Sequence, residues 1–167
     1  MAATIEVSER GTVIAFSYED MLRYHGQGSP GGVAHAFKVL ERALPLLDPR
    51  GPCERRELVV ETAFGGPGAR DGFELVTRAL SGDRFSVDPA LARPERGRTL
   101  ERCVFRLRYR EREATLILRD GFVTEEFIDL ARSERRSDEQ ERRLDTLKRE
   151  MAARVLAPPA DEVYELA

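Results

Sequence analysis

The sequence predicts a single α+β domain, and three observations carry that expectation. Its 167 residues fall within the span of about 100–200 residues usual for one domain, and a 41% hydrophobic content can fill one core. Val33, Phe37, Leu40, Leu44 and Leu47 recur at helical spacing on one face, whereas Phe105, Leu107 and Tyr109 alternate with Arg106, Arg108 and Arg110 as in a strand with one wet face. No internal repeat or low-complexity linker divides residues 1–167.

The β-branched runs Thr4-Ile5-Glu6-Val7 and Thr12-Val13-Ile14-Ala15-Phe16, set around Glu9-Arg10-Gly11, read as a hairpin or as extended arms. Ser17-Tyr18-Glu19-Asp20 is a capping-box arrangement, which predicts a short helix over 18–24 with His25 and Gly26 at its end. Ser29 is a good N-cap and Pro30 suits the first helical position, where its missing N–H costs nothing. The helix that follows stops at Asp48-Pro49-Arg50-Gly51-Pro52. Residues 57–64 read as a buried strand emptying into Gly65-Gly66-Pro67-Gly68, with a helix over 71–80 beyond it.

A short extended piece at Phe85-Ser86-Val87 precedes a Pro- and Arg-rich loop over 89–98. The alternating strand at Phe105 then turns through Arg110-Glu111-Arg112-Glu113 and returns over 114–118. Residues 124–131 look helical, and Ser137-Asp138-Glu139-Gln140 is a second capping box opening a helix with Leu144, Leu147, Met151 and Val155 as its stripe. Residues 131–155 read as a long charged helical extension packed on the domain, with opposite charges nearly cancelling over 131–150. Val163-Tyr164-Glu165-Leu166 is too apolar for a free tail.

Composition excludes several classes. With only Cys53, Cys103, His25 and His35 available, neither a Cys/His zinc framework nor a disulfide scaffold is expected. No stretch approaches the roughly 20 apolar residues of a membrane span, and residues 1–9 lack the basic-then-apolar order of a signal peptide, so the expected location is the cytoplasm (a cytoplasmic protein) with no membrane partner. A net charge of −3 gives no global attraction to nucleic acid. The arginine-rich strand face lacks interleaved exposed aromatics, so it reads as a solvated or salt-bridged surface rather than a nucleic-acid site.

Two glycine-rich turns feeding helices are the candidate ligand sites: His25-Gly26-Gln27-Gly28-Ser29-Pro30-Gly31-Gly32 and Gly65-Gly66-Pro67-Gly68-Ala69-Arg70-Asp71-Gly72. Glycine admits close backbone approach, and a helix start offers unpaired N–H groups and positive dipole to a phosphate or carboxylate. Neither turn matches the P-loop or the dinucleotide fingerprint, and each also reads as plain turn chemistry. His25, Ser29 and Asp71 are the residue types of a hydrolase triad, although the nucleophile-elbow pattern is only partly echoed and Pro30 removes an N–H that an oxyanion hole would want. The alternative is that Ser29 caps a helix and His25 ends one. His35 reads as a packed or half-exposed histidine inside the second helix.

The run Tyr24-His25-Gly26-Gln27-Gly28-Ser29-Pro30-Gly31-Gly32 resembles the F-H-G-H-x-C-P-G opening signature of the FmdE-like (formylmethanofuran dehydrogenase E-subunit) family. Asp71-Gly72-Phe73-Glu74-Leu75-Val76-Thr77 is similar to that family's D-A-I-Q-x-x-T, with Glu61 in the place of an acidic strand residue. Residues 154–166 resemble its closing segment. The resemblance implies an α+β domain with a mixed sheet covered by helices on one side, a homodimer, and a cleft uniting the two glycine-rich turns. The family's second His and two Cys positions are Gln27, Ser29 and Gly68 here, and its zinc ribbon is missing, so the scaffold is expected without the metal.

The expected function is binding of a small anionic molecule, with His25 as acid or base, Asp71 orienting it and Ser29 holding an oxyanion. Gly26, Gln27, Gly28, Gly31, Gly32, Glu61, Gly65, Gly66 and Gly68 are the expected ligand contacts. Two alternatives stand beside it: an interaction subunit docking through the 137–155 helix and the arginine face, or a metal enzyme drawing ligands from His25, His35, Cys53, Glu61 and Asp71. No cofactor follows from these residues.

Overall fold

A computed structural model describes residues 2–167; Met1, part of the stretch read against a signal peptide, lies outside them. The fold is α+β, as expected. Strands β1 (Thr4–Glu9) and β2 (Thr12–Ser17) form an antiparallel hairpin, and β3 (Cys53–Glu54) adds parallel to β1. The hairpin turns on Arg10 and Gly11, both at positive φ, a mirror-image turn whose twist matches the flanking strands. A second, five-stranded sheet has the order β5-β4-β6-β7-β8, comprising β5 (Phe85–Val87), β4 (Leu58–Thr62), β6 (Val104–Tyr109), β7 (Arg112–Leu118) and β8 (Tyr164–Leu166). Only β4 and β5 pair in parallel within it. The mixed sheet is thus divided into two sheets that share one core.

Register decides what each face carries. Val60, Leu107 and Ala114 lie side by side and point to the helices, whereas Glu61, Arg106 and Thr115 face the other way. Helix α2 (Pro30–Leu47) packs against the inner face. Its spacing predicts one apolar face, but Val33 to Leu40 are buried without interruption, because α1 (Tyr18–His25), α3 (Pro67–Thr77) and α5 (Asp138–Leu156) pack on its remaining sides.

Local signals hold where the interaction is local. Both capping boxes form, Ser17 with Asp20 and Ser137 with Gln140, and each starts a helix at the expected place. Thr124 caps α4 (Glu125–Arg132), and a four-residue helix α6 (Ala160–Val163) leads into β8, which anchors the apolar tail as an edge strand. Three details differ. Helix α3 starts at Pro67, inside the second glycine-rich turn, and ends at Arg78 in the left-handed conformation, so Asp71 sits within a helix. The β6–β7 turn spans only Arg110 and Glu111, since Arg112 already pairs with Tyr109. Ser29 occupies the N-cap of α2, but its hydroxyl makes no capping hydrogen bond. Among the described residues, no helix is long and apolar enough to cross a membrane.

Candidate functional site

The two glycine-rich turns meet because α2 and α3 cross at their amino-terminal ends. At Gly68 an added Cβ would stand 2.4 Å from the Ser29 carbonyl oxygen and 3.0 Å from the Val33 nitrogen, both backbone atoms that cannot yield. At Gly32 it would stand 3.0 Å from the Ala69 nitrogen. These two glycines are required by the helix crossing itself. Gly31 faces α5, its Cβ position lying 3.0 Å from the Met151 sulfur. Gly26 instead closes α1, its N–H reaching the Leu22 carbonyl at 2.7 Å.

His25 and Asp71 are brought together. His25 Nδ1 donates to Asp71 Oδ2 at 2.8 Å, a bond that requires the proton on Nδ1 because a carboxylate only accepts. His25 Nε2 is then left buried with no hydrogen-bond partner. Ser29 forms no hydrogen bond to His25, so the three side chains do not assemble as a triad. Ser29 opens instead onto a neighbouring cavity whose wall includes neither His25 nor Asp71.

That cavity has a volume of about 510 Å³, within the range of roughly 300–1,000 Å³ typical of small-molecule sites. Ser29, Gly31 and Gly32 of α2 form one wall, and residues 64–68 form a second. Phe127, Ile128 and Ala131 of α4 cover it, Leu144, Lys148 and Met151 of α5 close one side, and the loop with Arg98, Thr99, Arg102 and Cys103 closes the other. His35 lies at the buried base. Its Nδ1 is 2.7 Å from the Tyr164 hydroxyl and its Nε2 is 3.3 Å from the Met151 sulfur. The sulfur has no proton to give, so Nε2–H donates to it and the Tyr164 O–H donates to Nδ1. Burial lowers the His35 pKa to about 4 and raises the Tyr164 hydroxyl well above its usual value, keeping both neutral. Cys103 also reaches the cavity, but burial pushes its thiol up to about 12, which leaves no nucleophilic thiolate.

Five cationic side chains border this space: Arg98, Arg102, Arg132, Arg136 and Lys148. Arg98 is paired with Glu125 and Asp129, Arg132 with Glu101 and Arg136 with Glu141. Lys148 donates only to the Gly28 carbonyl, at 3.0 Å, and Arg102 has no ion-pair partner among the described residues. The helices that start here, α2 and α3, both lack a side-chain cap, so their first amides and positive dipole ends remain uncompensated by the protein's own side chains.

Several expected contacts fall elsewhere. Glu61 is not in the site: strand alternation turns it to the outer sheet face, where Arg106 at 2.8 Å and Arg108 at 2.9 Å hold it. The Arg106 hydrogen bond draws its carboxyl below the usual range. Gly26, Gln27 and Gly28 lie in the same turn but outside the cavity wall, whereas Ser29, Gly31, Gly32, Gly65, Gly66 and Gly68 are on it. Phe64, Arg102, Lys148 and the α4 side chains were not legible as site residues, and His35, a candidate only as a metal ligand, lines the cavity instead. The apolar residues of α4 and the capping box of α5 mark helices, but nothing in the sequence aims those helices at α2.

The donor set does not fit the metal that the family resemblance implies. Gln27 is exposed in its turn and outside the cavity wall, Ser29 offers a hydroxyl where the family has a thiolate, and a side chain at Gly68 would collide with the α2 backbone. Among the described residues no three His, Cys, Asp or Glu side chains converge as a ligand group. Compared with known proteins, the chain matches no family model and no curated sequence.

Proposed function

We propose that this protein binds a small anionic molecule in the cavity beneath α4, on a scaffold related to the FmdE-like family but without its metal. The observation that carries this reading is that Lys148 and the exposed Arg102, neither paired with a carboxylate, border a cavity walled by the uncapped starts of α2 and α3. The order of the two turns along the chain and their contact at Gly68 and Ser29 support the family relation. Binding, rather than catalysis, fits the geometry, since a general base must come within hydrogen-bond reach of its substrate and His25 is not on the cavity wall. Every arginine of the strand face is paired, Arg106 and Arg108 with Glu61 and Arg110 with Glu57, and two carboxylates against three cations leave it little charge for docking a partner.

Thermal melting in millimolar phosphate, acetate and benzoate tests the reading, with benzamide as the neutral control. At least one anion is expected to raise Tm while benzamide does not, by mass action on the folded state. The Arg102→Met/Lys148→Met double variant is expected to lose that shift while keeping the native far-UV spectrum. No anion-specific shift, or an undiminished shift in the double variant, overturns the proposal.

A further inference from the structure

We infer that the anion carries an apolar body, and that the ligand class is a monocarboxylate with a medium-length acyl chain or comparable hydrocarbon tail. This rests on the anion-binding reading and deepens it.

The charge balance sets the head group. Three of the five bordering cations are already neutralised by carboxylates, which leaves Arg102 and Lys148 for the ligand. Lys148 beside the amides of the α2 start suits one carboxylate, and even with Arg102 the free charge falls short of the several charges of a di- or triphosphate. The walls set the body. Phe64, Val123, Phe127, Ile128, Leu144 and Met151 are apolar, and a cavity of about 510 Å³ is far larger than an inorganic anion needs. The base offers no charge, because His35 is committed to Tyr164 and Met151.

Helix α4 supplies the third argument. None of its residues is fully buried, although Phe127 and Ile128 lean over the cavity and Phe127 also touches the core. A short amphipathic helix with its apolar side half-covered gains burial when a hydrocarbon chain fills the space below it. The ligand therefore sits with its carboxylate near Ser29, Lys148 and the α2 start, and with its tail under α4.

Titration calorimetry of the full chain with butanoate, hexanoate, octanoate and inorganic phosphate tests this. Each added methylene is expected to tighten Kd by about 3–4-fold, the effect of burying one CH₂. Phe127→Ala is expected to weaken octanoate several-fold while leaving butanoate nearly unchanged, and Arg102→Met/Lys148→Met to weaken all the carboxylates. Affinity independent of chain length, or phosphate binding as tightly as octanoate, overturns the acyl class but leaves the anion site standing. Octanoate binding insensitive to both variants overturns the placement under α4. Absence of binding by every anion overturns both readings.

Discussion

His35 shows how a single buried side chain couples the candidate site to stability. It is 1% exposed at the base of the cavity, and desolvation lowers its pKa from 6.5 to about 4. Because the folded value lies below the unfolded one, the unfolded chain takes up a proton first as pH falls. The contribution is therefore fully present above about pH 6.5 and is lost progressively down to pH 4, by about 3 kcal/mol in all. Urea denaturation at pH 7 and pH 4.5 measures it. His35→Gln, which keeps hydrogen-bonding capacity without titrating there, is expected to be less stable at pH 7 yet to lose less between the two pH values. Equal losses in both proteins would count against a neutral buried His35. Glu61 illustrates the opposite outcome at this scale: a polar residue one strand position from buried neighbours is held on the far side of the sheet by two arginines.

At the scale of elements, the α2–α3 crossing is the contact that builds the site. Its closeness comes from glycine at positions 32 and 68, where any Cβ meets backbone. Gly68→Ala is expected to destabilise the fold by about 1–3 kcal/mol through overpacking. Gly28→Ala and Gly65→Ala, each with open space at the Cβ position, are expected to stay within about 0.5 kcal/mol. Chemical denaturation of the three variants gives the comparison, and a Gly68→Ala protein as stable as the other two would mean that the crossing is not tight. The elements also divide by how they could be read. Both capping boxes, the hairpin around Arg10 and Gly11 and the helical run from Val33 to Leu47 depend on neighbours a few residues away, and all were legible. The start of α3 was not, because Gly65-Gly66-Pro67-Gly68 satisfies a turn and a helix start equally well.

Across the whole molecule, the two sheets are joined through one core in which Ile5 and Val7 of the first share a cluster with Leu58 and Leu107 of the second, α2 contacting both sheets. Unfolding is therefore expected to be a single cooperative step, with far-UV circular dichroism and tyrosine fluorescence giving the same urea midpoint. Two separated midpoints would show that the β1–β3 sheet is an independent unit. The class of fold, the order of most elements, the two capping boxes, and the nomination of two glycine-rich turns with His25 and Asp71 among them all follow from the residues alone. Those features depend on periodicity and short-range hydrogen bonds. Three outcomes needed the folded molecule: Ser29 faces a cavity rather than His25, Glu61 is excluded, and α4 and α5 bring apolar cover and Lys148 over the turns. They depend on strand register and on helix packing between distant segments, as in the bond from Lys148 to Gly28 across 120 residues of chain, and no local pattern encodes them.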